Sequence, residues 1–125
     1  MENLRKQENM KYSIYYKIFS YMPLINLLAL LLLITHSFFL YGRMPSYSNP
    51  DPKTLFITYS IFQISEIIVF FSFIIFPSLF IVVILQKTLT RRILFKHIII
   101  YAFSIVLVFI IYRIEILDLG TWIID

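Results

Sequence analysis

Glu66 is the residue around which chemistry could be built. It lies among Ile61, Phe62 and Ile64 on one side in sequence and Ile67, Ile68, Val69, Phe70 and Phe71 on the other. A charged group near the centre of a bilayer costs at least ~2.5 kcal/mol, so such residues face protein or water and mark helix joints or ion and proton paths. At about 100° per residue, Tyr59, Gln63 and Glu66 share one helical stripe, while Thr58, Ser65 and Ser72 form a second about a third of a turn away. Two polar stripes predict two packed faces. Glu66 is then a hydrogen-bonded joint between helices, a proton- or ion-handling group, or a contact for a cofactor or headgroup. Arg113 and His36, both near the outer ends of their helices, are its candidate partners. Arg113 is favoured because a permanent guanidinium charge needs an acceptor; snorkelling to headgroups or pairing with Glu115 are its alternatives.

His36 and His97 are the residues that could hold a haem between helices. The pattern opposes it, since His36 lies near the outer edge of its span and His97 follows Lys96 at the inner edge of another. His97 shares a helix face with Tyr101, Ser104 and Tyr112, which predicts a helix contact. No cofactor, metal or catalytic residue is expected. The chain has no cysteine, which removes disulfides, thiolate metal sites and Fe–S ligation. It shows no glycine-rich phosphate loop, no H-E-x-x-H and no Ser/His/Asp set at one depth.

The elements that must position these residues follow from composition. The chain has 125 residues, 60% of them hydrophobic and 14% charged, with a mean hydropathy of +0.85. A soluble domain of this size could not cover so much apolar surface. No charged residue occurs between Lys17 and Arg43, nor from Ile67 to Gln86. A hydrocarbon core of roughly 30 Å needs about 20 apolar residues per helix, and both runs meet that length. The first run is too long for a cleaved signal peptide.

The predicted class is all-α, an integral membrane protein of three transmembrane helices forming a single membrane domain over residues 1–125. Residues 1–17 form a tail on the cytoplasmic side, 18–41 the first span, 42–53 an outside loop, 54–86 the second span, 87–92 an inside loop, 93–119 the third span and 120–125 an outside tail. Pro23 opens the deep part of the first span at little cost, and Gly42 suits a left-handed helix end. The second span exceeds the bilayer thickness, and Pro77 should kink it. The short inside loop makes the second and third spans antiparallel neighbours. Without glycine motifs, packing relies on serines, Ala29, Ala102 and aromatic side chains.

The net charge of +4 is distributed as a membrane topology signal. Arg5, Lys6, Lys11 and Lys17 precede the first span and Lys87, Arg91, Arg92 and Lys96 surround the second connection, whereas the first connection holds Arg43 and Lys53. The positive-inside rule then gives an inner N-terminus and an outer C-terminus. Lys87, Arg91, Arg92 and Lys96 are expected to contact lipid headgroups at about 1 kcal/mol each, and nucleic acid is not an expected partner. Heavy use of Ile, Phe, Tyr, Lys and Asn points to an AT-rich coding genome, bacterial or organellar; the expected location is a bacterial inner membrane, with the mitochondrial inner membrane as the alternative.

Span count and an acid in the second span make the chain similar to the membrane anchors of succinate dehydrogenase and the smallest membrane subunits of respiratory complex I. The Ser and His-Arg pair of the former and the cysteine-containing loop of the latter are missing, as is the Pro-Gln motif of three-helix half-transporters, so the chain is assigned to none of them. The expected function is a non-catalytic accessory or structural subunit of a larger respiratory, secretion or transport assembly, partnered by lipids and other integral membrane subunits. The alternative is a small homo-oligomeric transporter or channel using Glu66.

Overall fold

The computed structural model describes residues 2–42 and 52–113. Among them the regular elements are α1 (Glu2–Ser20), α2 (Met22–Tyr41), a 3-10 turn (Pro52–Leu55), α3 (Phe56–Gln86) and α4 (Arg91–Arg113), with no strand. Three stretches are long and apolar enough to cross a membrane: Asn9–Tyr41, Lys53–Gln86 and Arg91–Arg113. The sequence expectations for most of the outside loop, the last turns of the third span and the C-terminal tail, Glu115 included, lie outside the described residues.

Residues 1–17, expected as a tail, are helical from Glu2 onward, and α1 packs against α3. Its docking stripe is Ser13, Tyr16 and Ser20, spaced three and four apart, all buried. Small hydroxyl residues on either side of a ring let the helix approach closely while Tyr16 fills the gap. The chain breaks helicity at Tyr21, and α2 restarts with Pro23 in its first turn, where a missing N–H costs little. The first apolar stretch is therefore two helices in series.

Helix ends follow backbone chemistry. Gly42 closes α2 with φ +67° and donates its N–H to the Phe38 carbonyl at 2.8 Å, as its sequence position predicts. At the end of α3, Lys87 adopts φ +50°. Its N–H reaches the Ile84 carbonyl at 3.1 Å and that of Thr88 reaches Val83 at 3.4 Å, the paired bonds of a Schellman ending normally reserved for glycine. The α3 helix runs unbroken through Pro77 for 31 residues, about 46 Å at ~1.5 Å per residue.

Hydrogen bonds fix the helix directions. Tyr41 meets Thr54, His36 meets Thr58 and Asn26 meets Ser65, so partner numbers fall on α2 as they rise on α3, and the two run antiparallel. Tyr16 meets Leu94 and Ser20 meets His97, so α1 and α4 run parallel. The backbones of α2 and α3 pack most closely, and α1 on α3 and α2 on α4 follow. The short connection between α3 and α4 predicts close neighbours, yet their backbones barely meet. Long side chains bridge them instead: Tyr101 to Ser72, Tyr112 to Glu66, and Phe76 stacked on Tyr101.

Two apolar clusters form the core. Ala29, Leu30, Leu33, Ile34, Leu55 and Phe62 occupy one end, and Tyr16, Phe76, Val83, Leu94 and Tyr101 the other. In the second, Phe76 stacks on Tyr16 (centroids 5.0 Å, 14° between planes) and on Tyr101 (4.1 Å, 10°), tying three helices together. Ala29 is buried as expected, but Ala102 is exposed and takes no part in the packing.

Candidate functional site

Serine and threonine are small enough to let helices approach, and their hydroxyls can bond an i−3 or i−4 carbonyl while also meeting a neighbour. The Thr58, Ser65 and Ser72 stripe does both. Each hydroxyl returns a bond to its own helix, to Leu55, Phe62 and Val69 respectively. Each also meets another helix: Thr58 the His36 Nδ1 at 2.9 Å, Ser65 the Asn26 Nδ2 donor at 2.9 Å, and Ser72 the Tyr101 hydroxyl at 2.9 Å. Asn26 is almost completely buried, so its amide is a specific joint between α2 and α3. His97 lies buried with Nδ1 2.7 Å from the Ser20 hydroxyl, edge-on to Tyr16 and Tyr21. Ser37 is fully buried and its hydroxyl has no partner among the described residues.

The second stripe is arranged differently. Gln63 donates to the Tyr59 hydroxyl at 2.9 Å along the same helix, and both Gln63 and Glu66 are exposed. Glu66 accepts a hydrogen bond from the Tyr112 hydroxyl at 2.8 Å. The expected partners are engaged elsewhere: the Arg113 guanidinium lies over the Phe109 ring, 5.3 Å from its centroid, and His36 is bonded to Thr58. Phe109 is four residues before Arg113, so the charge is held by a ring one helical turn back on its own helix. Tyr112, which the sequence puts on the His97 face of its helix, is Glu66's partner in place of Arg113 and His36.

Glu66 and Tyr112 line an open groove of about 530 Å³ together with Pro23, Asn26, Phe70 and Phe109. Its wall is otherwise almost wholly apolar, with Ile67, Val69, Phe73, Ile105 and Val108. The acid is therefore presented at an apolar surface with a single hydroxyl partner among the described residues. Such a group can accept a further donor from outside the chain or carry a proton. Among the described residues no cluster of His, Asp or Glu could hold a metal ion. Compared with known protein families, with curated proteins and with solved structures, the chain matches none.

Proposed function

We propose that this chain crosses a bilayer three times, N-terminus inside, and serves as a non-catalytic accessory subunit of a larger membrane assembly. The supporting observation is the exposed Gln63 and Glu66 stripe on α3, set among exposed Ile61, Ile64, Ile67 and Phe70. Glu66 stands about 15 Å along α3 from Phe56 at ~1.5 Å per residue, within the part of the helix that hydrocarbon would surround. Exposure to lipid there costs at least ~2.5 kcal/mol. A neighbouring membrane helix carrying a donor removes that cost, and the apolar residues beside it supply the packing. The apolar faces of α3 and α4 ask for lipid or protein in the same way: 17% of the most apolar window in each of their spans is buried.

A photo-crosslinking amino acid at Gln63 of the full chain in its native membrane tests this, with exposed Ile74 on the same helix as the comparison. Adducts to an unrelated integral membrane polypeptide at position 63, and fewer at 74, support the proposal. Adducts only to second copies, with purified protein passing ions in liposomes, would establish the homo-oligomeric transporter instead. Adducts only to lipid at both positions would refute both. Because the sequence contains no cysteine, single cysteines introduced at Gln7 and Thr90 report topology directly. Both should react with an impermeant reagent only after the inner side is opened.

A further inference from the structure

From Ile67 through Ile114 the chain has no acidic residue, while Lys87, Arg91, Arg92 and Lys96 fall within that stretch. Sequence alone makes these four cations equivalent. The fold separates them: Lys87 and Arg91 line a groove of about 510 Å³ between the end of α3 and the start of α4, and Arg92 and Lys96 do not. Its other walls are Phe80, Ile84, Leu89, Leu94, Phe95 and Ile98. The space exists because α3 and α4 are held apart by side chains rather than packed backbone to backbone. It lies in the size range of small-molecule sites, about 300–1,000 Å³.

Three features point to the same ligand chemistry. Among the described residues neither Lys87 nor Arg91 forms an ion pair, so no anion there offsets the two charges at the groove. Arg91 is the first residue of the 23-residue α4, whose first turn closes with the Leu94 N–H on the Thr90 carbonyl at 3.1 Å; the amides ahead of Leu94 add partial positive charge. Finally, Lys87 occupies a left-handed position, φ +50°, where glycine would be free of strain. Strain retained at a residue that lines a groove is a mark of use.

We infer that this groove is a binding site for one anionic phospholipid, its phosphate between Lys87 and Arg91 and an acyl chain against Phe80, Ile84, Leu94 and Phe95. The inference rests on the membrane-spanning part of the proposal above and is independent of the accessory role. An apolar partner helix would fill the same walls but leave both cations unmatched, whereas a lipid with a negative headgroup satisfies both ends at once.

Native mass spectrometry of the full chain in detergent, with phosphatidylglycerol and phosphatidylcholine of identical acyl chains, tests it. One phosphatidylglycerol per chain should be retained in preference to phosphatidylcholine. At about 1 kcal/mol per cation, Lys87→Ala with Arg91→Ala should weaken phosphatidylglycerol binding about thirtyfold, and Arg92→Ala with Lys96→Ala, of equal charge change, less than about threefold. Lys87→Gly relieves the backbone strain, so it should weaken binding about fivefold with no loss of thermal stability, which separates the site from the fold. Equal retention of the two lipids, equal losses in the two double variants, or a second copy of the chain in place of lipid would each overturn the site. A chain that associates with neither lipid and stays dispersed in buffer would instead overturn the membrane reading beneath it.

Discussion

Phe76 is the ring on which three helices converge, and its replacement by leucine isolates what that convergence is worth. The substitution keeps an apolar side chain in place, and in the bilayer proposed for this chain lipid is as apolar as either residue, so transfer free energy favours neither state. What disappears is two stacked ring pairs, with Tyr16 at 5.0 Å and Tyr101 at 4.1 Å. Each such pair contributes about 0.5–1.5 kcal/mol beyond area burial, so the loss is about 1–3 kcal/mol. That corresponds to roughly a 5- to 150-fold fall in the folded-to-unfolded ratio. Phe103 is the control: it is 61% exposed and has no ring partner among the described residues, so Phe103→Leu should stay within about 0.5 kcal/mol of the parent. Reversible unfolding in mixed micelles of increasing dodecyl sulfate fraction gives both values. If Phe76→Leu is no more damaging than Phe103→Leu, the three-ring stack does not hold α1, α3 and α4 together.

Asn26→Ala removes the buried amide joint to Ser65 and should cost about 1–2 kcal/mol in the same unfolding assay. Ser37→Ala removes a buried hydroxyl that has no partner among the described residues, so stability should be unchanged or raised by up to about 1 kcal/mol. Gly42→Ala and Lys87→Gly form an opposed pair. Gly42 has open space for a Cβ but a φ of +67°, so alanine should cost about 1 kcal/mol of conformational strain. The reverse exchange at Lys87 should recover a similar amount, read as opposite shifts in melting temperature. In a double-mutant cycle, Glu66→Gln with Tyr112→Phe should couple by about 0.6 kcal/mol, up to ~1.7, whereas Glu66→Gln with Arg113→Ala should couple by less than about 0.3 kcal/mol.

The three apolar stretches were legible because a helix that could cross hydrocarbon needs long charge-free sequence, which residues 24–41, 67–86 and 97–112 display. Gly42 announced its own helix end, and the seven-residue spacing of Thr58, Ser65 and Ser72 announced a packed face. Helix α1 was hidden because its docking depends on Ser13, Tyr16 and Ser20, residues that average hydropathy counts as polar. The partner of Glu66 was hidden for a different reason. Tyr112 and Arg113 are adjacent in sequence but about 100° apart around α4, and only the rotation of that helix decides which faces α3. Charge favoured arginine, and geometry brought tyrosine. Lys87 and Arg91 could not be told apart from Arg92 and Lys96 until the spacing of α3 and α4 was known, because that spacing is created by rings far away in sequence.

The weak backbone contact between α3 and α4 bears on the order in which the molecule can be put together. The first two helices offer surface to both later ones, so a nascent chain that has emitted only α1 to α3 already contains its tightest packing, and α4 arrives at a prepared bed. A chain stripped of α1 and α2 would keep α3 and α4 joined through long side chains alone, with Phe76 stacked on Tyr101 only. Synthesis from the N-terminus therefore delivers the pieces in the sequence that the packing requires.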